Sequence, residues 1–211
     1  MTMYFYADVQ LRGKYPGYAI RYFKDNGIDI EMNQDELELI ARHTLDFLAI
    51  SYYNSNVVSA NKNSMAIGDS QLNPYLKANP WGWTINPLGL YDGFLRYWDR
   101  YEKPLMIAEI GFGQIRRNYL KIILFRMIIR IDYIQEHIKA IQKAIQHGVE
   151  VFTYCAWSPI DMVSSGTSEM KKRYGFIYND QDDFGNGTYQ RYPKASFYWY
   201  QSLIKKNGMI D

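Results

Sequence analysis

Glu109 has a side chain and a position in the sequence that suit a catalytic residue. The apolar run Pro104–Ala108 leads into Glu109, and Gly111 follows. A short apolar run between proline and glycine predicts a buried strand. Parallel barrels and doubly wound sheets carry their catalytic groups at the ends of such strands. A glutamate that only marks where the strand meets solvent fits equally well, so position alone leaves both interpretations open.

The composition of the 211 residues limits the classes of protein to which the chain can belong. Hydrophobic residues make up 47% of the chain, which supports a sizeable core, and the net charge of +2 gives no argument for nucleic acid. The single cysteine, Cys155, lies in an apolar run and favours a buried side chain over a nucleophile. Met1–Gly13 lacks the pattern of a secretory signal, and Tyr119–Arg130 is too short and too charged to span a bilayer. We expect a cytoplasmic protein that binds neither nucleic acid nor membrane.

Strand and helix patterns alternate along the chain and predict the elements that position Glu109. Asn33 and Glu36 form a capping box at the start of one helix, and Pro87 suits the first position of another. A third helix is amphipathic, with four isoleucines on one face. The predicted strands are Asp46–Ser51, Pro104–Glu109 and Val151–Trp157; the predicted later helices are Asp132–His147, with Ile134, Ile138, Ile141 and Ile145 on its apolar face, and about Lys194–Lys206.

This order of βα units predicts an α/β fold with a parallel sheet. Three parallel strands alone leave two edges open and one face poorly covered. The first segment, Met1–Gln10, has no strand–turn–strand pattern and looks like the middle of a longer fold. We therefore expect part of a larger sheet or barrel.

Four sequence blocks lie at or near the ends of the three predicted strands: Asp46–Tyr53, Trp83–Leu90 (W-x-I-x-P-x-G-L), Lys103–Gly111 (K-P-x-x-x-x-E-x-G) and Trp157–Asp161 (W-S-x-x-D). Taken together, these blocks resemble the C-terminal part of glycoside hydrolase family 1. The resemblance implies about three βα units of a (β/α)8 TIM barrel, similar to strands 6 to 8, in one partial domain over residues 1–211.

Three residues after the last strand resemble those of family members that act on 6-phosphorylated glycosides. Ser164 stands where ordinary members carry a glutamate that binds sugar hydroxyls, and Lys172 and Tyr174 follow it. A carboxylate would repel a phosphate, whereas a hydroxyl, an ammonium and a phenol supply donors and one positive charge. A surface lysine and a loop serine are the structural alternatives for each residue taken singly. Ser165, where 6-phospho-β-galactosidases tend to carry tryptophan, resembles the 6-phospho-β-glucosidases, so the implied substrate is a 6-phosphorylated β-glucoside.

The resemblance also implies a role for each remaining site residue. Glu109 corresponds to the nucleophile of retaining hydrolysis, and Tyr53 would hydrogen-bond it and hold it in line. Trp157 would contact the sugar. Trp83 would line the aglycone side, with core packing beside Pro87 as its alternative. No metal and no cofactor is implied.

The second carboxylic acid of this mechanism has no counterpart in the 211 residues. In the family it belongs to a T-x-N-E-P block, and the sequence contains no Asn-Glu-Pro. Three hypotheses follow: the C-terminal part of an enzyme whose N-terminal barrel half is supplied by a separate chain, a non-catalytic sugar-phosphate-binding remnant, and a gene-decay product without function.

Two departures from the family pattern follow Glu109 in the sequence. Ile110 replaces the asparagine that follows the family's glutamate and removes a polar neighbour. Gln114–Arg130 contains no acidic residue, although family members carry a polar, often acidic loop there. A local reading-frame shift over codons 114–129 and a divergent amphipathic helix both account for this segment, and genomic DNA would decide between them.

Overall fold

The computed structural model describes residues 4–57, 73–113 and 121–208, with the side chains of residues 121–128 left aside. Three helices come first, strands and helices then alternate, and a short hairpin precedes the last helix. The elements are α1 (Phe5–Arg12), α2 (Gly17–Asp25), α3 (Gln34–Arg42), β1 (Leu48–Ser51), α4 (Pro87–Tyr101), β2 (Leu105–Ile110), α5 (Lys121–Gln146), β3 (Val151–Ala156), β4 (Ile177–Asn179), β5 (Arg191–Pro193) and α6 (Ala195–Lys206).

The three strands β1, β2 and β3 form a parallel sheet in that spatial order, as the sequence predicts. Leu105 on the central strand lies in register with Leu48 on one side and Val151 on the other. The regular pairing shifts near the carboxyl end of the sheet, where Ser51 lies opposite Glu109. The carboxyl ends of all three strands therefore meet at one edge, and Glu109 lies at that edge.

One face of the sheet carries the hydrophobic core. Leu90 and Phe94 of α4 and Tyr133 of α5 are buried against Leu105 and Ile107 of the central strand. Their apolar spacing of three or four residues is the pattern of a helix that covers a sheet. The helix–strand packing explains why these short apolar runs fold as parallel strands.

The opposite face of the sheet presents apolar side chains to solvent. Phe47, just before β1, is 42% exposed and Phe152 of β3 is 52% exposed. Their rings meet edge to face with centroids 5.2 Å apart. Exposed aromatic rings on a sheet face are typical of a surface that packs against further structure.

Two predicted helix starts are confirmed by their caps. The Asn33 side chain accepts a hydrogen bond from the Glu36 N–H, and the Glu36 carboxylate accepts from the Asn33 N–H, which completes the capping box of α3. The Asn86 side chain accepts from the Gly89 N–H, with Pro87 in the first turn of α4. Both caps satisfy N–H groups that a helix leaves without internal partners.

Other elements differ from the prediction. Helix α1 was not predicted; it is fixed by buried Asp8, which accepts hydrogen bonds from Arg100, 92 residues away, and from Tyr101. The β4–β5 hairpin was also missed, since its strands have only three residues each. Ile145, which the sequence places on the apolar face of the predicted helix, lies in the last turn of α5 and is 47% exposed.

Two predicted segments fall partly outside the described residues. The polar stretch from Asn56 to Leu76, whose composition predicts a loop, includes residues 58–72, and the Gln114–Arg130 segment includes residues 114–120. From Lys121 onward that second segment is helical and continues into the predicted Asp132–His147 helix. In the part of the chain that the structure describes, every helix is too short or too polar to cross a bilayer.

Candidate active site

Glu109 and Tyr53 meet at the carboxyl edge of the sheet. The Tyr53 hydroxyl donates to Oε2 of Glu109 at 3.0 Å, and both side chains are half-buried. Burial, and then the hydrogen bond to Glu109, raises the pKa of Tyr53 far above its ordinary value. The phenol therefore keeps its proton and remains a donor to the carboxylate. The structure thus brings together the two residues that the sequence assigned to nucleophile and orienting partner.

Uncharged side chains hold the backbone of Tyr53 in this pair. The Tyr133 hydroxyl donates to the Tyr53 carbonyl at 3.2 Å, and the Tyr133 ring packs on His137 with centroids 4.0 Å apart. Burial lowers the pKa of His137 to about 4, so this imidazole is neutral at pH 7. The peptide that carries Tyr53 is therefore held by an uncharged aromatic layer.

Trp157 lies against the backbone that follows Glu109. Its backbone N–H donates to the Ile110 carbonyl at 2.6 Å. A Cβ atom on Gly111 would lie 2.3 Å from the Trp157 carbonyl oxygen, so only glycine allows the two segments to approach this closely. The Ile110 side chain is fully buried in the hydrophobic core. Ile110 thus adds a core contact beside Glu109.

Ser164, Lys172 and Tyr174, which the resemblance assigns to a phosphate site, converge in the loop after β3. Nζ of Lys172 donates to Oγ of Ser164 at 3.4 Å, and the Ser164 and Tyr174 hydroxyls are 3.4 Å apart. All three residues are buried, with 4% to 7% of their surface exposed. Burial raises the pKa of Tyr174, which keeps the phenol protonated. The cluster holds one ammonium and two hydroxyls.

Trp83 lies between the two groups of site residues. Its ring is 5.3 Å from that of Tyr53 and stacks on Tyr174 at 6.2 Å, centroid to centroid. Nζ of Lys172 lies 5.8 Å from the Trp83 ring and 5.3 Å from the Trp81 ring, within cation–π range. The resemblance assigned a role to Trp83 but not to Trp81. The Trp-Gly-Trp spacing is the signal that could have identified Trp81 as well.

Glu169 is a second site residue that the sequence did not reveal. Its carboxylate lies 4.0 Å from Nζ of Lys172 and 2.5 Å from Nζ of the more exposed Lys171. The hydrogen bond from Lys171 lowers the pKa of Glu169. Among the described residues no three His, Cys, Asp or Glu side chains converge as metal ligands would.

Comparison with known proteins places this geometry in a family. The family model described as glycosyl hydrolase family 1 matches residues 1–209. The chain belongs to glycosyl hydrolase family 1. The Glu109–Tyr53 pair and the loop cluster are therefore features of a family 1 chain.

Family 1 relatives with related names match nearly all of the chain. It is 45% identical to the aryl-phospho-β-D-glucosidase BglH of Bacillus subtilis, over 97% of this chain and 44% of the relative. It is 43% identical to the phospho-cellobiase of Klebsiella oxytoca and 44% identical to the 6-phospho-β-glucosidase of Clostridium longisporum, over 97% of this chain and 45% of each relative. The chain thus spans less than half the length of these relatives.

Solved family 1 structures have the same fold over the same portion. The family 1 β-glucosidase from Thermotoga maritima aligns with a TM-score of 0.78 at 26% identity, over 98% of this chain and 44% of that one. The same enzyme in complex with castanospermine aligns with a TM-score of 0.75 over the same shares. The chain is an α/β portion of this TIM-barrel fold, as the resemblance predicted.

Proposed function

We propose that this chain is the C-terminal part of a retaining 6-phospho-β-glucosidase, bearing its nucleophile and its phosphate-binding residues. The observation that carries the proposal is the convergence of Ser164, Lys172 and Tyr174 near the edge that carries Glu109 and Tyr53. The names of the similar proteins from Bacillus, Klebsiella and Clostridium favour the same substrate class.

The loop cluster has the chemistry that a phosphate monoester needs. Lys172 supplies a positive charge, and Ser164 and Tyr174 supply hydroxyl donors. Their burial reduces competition from water, which strengthens hydrogen bonds to an anion. Glu169 is closer to Lys171 than to Lys172, so it can stay with Lys171 when a phosphate binds Lys172. A neutral sugar hydroxyl can accept a hydrogen bond from the ammonium but does not balance its charge, whereas a phosphate does both.

In the proposed mechanism, a carboxylate oxygen of Glu109 attacks the anomeric carbon. The bond from C1 to the aglycone oxygen breaks, and its electron pair leaves with the aglycone. Tyr53 holds the attacking carboxylate in line through its 3.0 Å hydrogen bond. Water then hydrolyses the glycosyl ester. A second carboxyl group about 5 Å from Glu109 must protonate the leaving oxygen and later activate that water.

We propose that a separate chain supplies this second carboxyl group with the N-terminal half of the barrel. The sequence has no Asn-Glu-Pro block, and three parallel strands cannot close a barrel. Phe47 and Phe152 lie exposed on the sheet face that such a partner would cover. A non-catalytic sugar-phosphate-binding remnant is the second candidate, favoured by a loop cluster that lies entirely within this chain.

Covalent trapping tests the nucleophile without requiring the missing acid. Dinitrophenolate leaves without protonation, so 2,4-dinitrophenyl 2-deoxy-2-fluoro-β-glucoside 6-phosphate should glycosylate Glu109 stoichiometrically. The fluorine slows hydrolysis of the ester, so the adduct is visible by intact-protein mass spectrometry. The control is the same reagent without its phosphate, which should label at least about tenfold more slowly because one charge-assisted contact is worth about 1.5–3 kcal/mol.

Glu109→Gln separates attack by this carboxylate from non-specific labelling. The variant should take up no label. Labelling that survives in Glu109→Gln, or equal rates with and without the phosphate, would contradict the proposal. Phosphate-dependent binding without any labelling would favour the non-catalytic remnant.

A further inference from the structure

A buried group of four charged residues lies directly beneath the phosphate-binding loop. Asp161 is its only anion, and its side chain is fully withdrawn from solvent. Lys194 Nζ lies 2.6 Å from Oδ1 of Asp161, and Arg173 lies 3.7 Å from Oδ2. Arg130 of α5 is also buried. The mechanism proposed above uses none of these four residues.

This group holds the peptides on both sides of Tyr174. Lys194 Nζ donates to the Gly175 carbonyl at 2.7 Å and to the Arg173 carbonyl at 3.3 Å. The Arg130 guanidinium donates to the same two carbonyls. Asp161 Oδ1 accepts from the Gly175 N–H at 2.8 Å. The backbone of Tyr174 is therefore fixed by charged side chains from three different parts of the chain.

The backbone at Gly175 packs closely against the backbone of Ile160 and Asp161. A Cβ atom on Gly175 would lie 2.1 Å from the Asp161 nitrogen and 2.2 Å from the Ile160 carbonyl carbon. Only glycine can occupy this position, so the Tyr174–Gly175 peptide lies directly on the backbone that carries Asp161. A displacement of Lys194 or Asp161 would therefore move the Tyr174 hydroxyl relative to Ser164 and Lys172.

We propose that Lys194, paired with Asp161, is a positioning residue that sets the affinity of the phosphate-binding cluster. It acts through Tyr174 and does not touch the ligand. This inference rests on the proposed function, since it assigns the loop cluster to a sugar phosphate. The contacts that support it lie within this chain, because Lys194 connects the loop to the start of α6.

The environment of Lys194 makes this role sensitive to pH near neutrality. Burial, and then repulsion from Arg130, lowers the pKa of Lys194 to about 7, against the opposing attraction of Asp161. Arg173 adds further repulsion. Above pH 7 the Lys194 side chain loses its charge and one N–H donor. Its hydrogen bonds to the Arg173 and Gly175 carbonyls then weaken. The affinity of the loop cluster for an anion should then fall.

Stability should change in the opposite direction. An unfolded lysine keeps its proton to about pH 10.4, whereas Lys194 in the folded chain releases it near pH 7. The unfolded state therefore binds more protons between these values, and the free energy of unfolding rises with pH there. A residue that only stabilised the fold would not lower affinity while stability increased.

Calorimetric titration with glucose 6-sulfate at pH 6 and pH 8.5 tests the proposal, because the charge of this sulfate ester does not change over that range. The unaltered chain should bind about three- to tenfold more weakly at pH 8.5, as expected for one weakened charge-assisted contact. Lys194→Arg should bind equally well at both pH values, and Lys194→Met should bind weakly at both. Lys205→Met, on the exposed last turn of α6, is the matched control and should follow the unaltered chain.

The outcomes separate this inference from the proposed function. If the unaltered chain binds glucose 6-sulfate more tightly than glucose at pH 6 but Lys194→Met keeps its affinity and pH profile, the positioning role is wrong and the phosphate site stands. If the unaltered chain shows no such preference at pH 6, the phosphate site is wrong and the positioning role falls with it. If Lys194→Met does not fold, the profiles of the unaltered chain and Lys194→Arg decide: a flat profile for the unaltered chain overturns the inference.

Discussion

The proposed nucleophile pair, Glu109 and Tyr53, and the proposed phosphate-binding cluster, Ser164, Lys172 and Tyr174, are supported by different kinds of contact. Tyr53 and Glu109 rest on a neutral layer in which Tyr133 donates to the Tyr53 carbonyl and packs on uncharged His137. The loop that carries Tyr174 rests on buried charges, with Asp161 at their centre.

The difference bears on what the proposed function requires of this chain. Ser164, Lys172 and Tyr174, the three residues of the proposed phosphate-binding cluster, all belong to it. In the proposed mechanism Glu109, oriented by Tyr53, also needs a second carboxyl group that the sequence does not match. Recognition of a sugar phosphate should therefore survive in the isolated chain, whereas turnover should not.

Removing Asp161 should have the largest effect, because it leaves three buried cations without their anion. We expect Asp161→Ala to lower the free energy of unfolding by about 3–5 kcal/mol in chemical denaturation. Asp92→Ala, which breaks an exposed ion pair with Arg96 on α4, should leave the midpoint unchanged within error. Equal losses in the two variants would remove the distinction between charged and neutral support.

Acid should weaken the neutral layer under the nucleophile. His137 is protonated in the folded chain only near pH 4, whereas an unfolded histidine binds its proton near pH 6.5. The free energy of unfolding should thus fall by up to about 3 kcal/mol as the pH drops from 6.5 to 4. Carboxylates add to the same acid dependence, so the measurement is the difference between the unaltered chain and His137→Gln. A difference that does not vary with pH would contradict a neutral buried imidazole.

Lys172→Met should remove the charge from the phosphate-binding cluster while leaving the nucleophile pair intact. We expect the affinity for glucose 6-phosphate to fall about 10- to 100-fold, since a hydrogen bond to a charged group contributes about 1.5–3 kcal/mol. Lys171→Met is the matched control, because its ammonium is more exposed and pairs with Glu169. Similar losses in the two variants would mean that the phosphate is bound at the surface.

Tyr133→Phe should have the smallest effect and should act only on the nucleophile side. It removes the hydroxyl that donates to the Tyr53 carbonyl at 3.2 Å, a contact of about 1 kcal/mol. We expect labelling of Glu109 by the fluoroglucoside 6-phosphate to slow by several-fold, with unchanged affinity for glucose 6-phosphate. A change in both quantities would indicate that the two regions are coupled.

Local patterns predicted the sheet and the capped helices well. The Asn33–Glu36 capping box and Pro87 are signals written within a few residues, and short apolar runs bounded by turn residues identified all three parallel strands. Ser164, Lys172 and Tyr174 came from a resemblance between motifs, and the structure places their side chains together.

The missed features depend on contacts between distant parts of the chain. Helix α1 is fixed by Asp8 through Arg100, and its own apolar pattern is weak. Asp161 and Lys194 are 33 residues apart; Asp161 ends the W-S-x-x-D block, but no pattern in the sequence pairs it with Lys194. Their burial follows only from tertiary packing, so a sequence pattern cannot distinguish them from charges on the surface.

Turnover of p-nitrophenyl-β-glucoside 6-phosphate tests the central claim most directly, measured for the chain alone and with a polypeptide that carries the preceding five βα units. We expect no more than one equivalent of nitrophenol from the chain alone, and steady turnover with the added polypeptide that Glu109→Gln abolishes. Steady turnover by the chain alone, lost in Glu109→Gln, would contradict the claim that this chain holds only one of the two catalytic carboxyl groups.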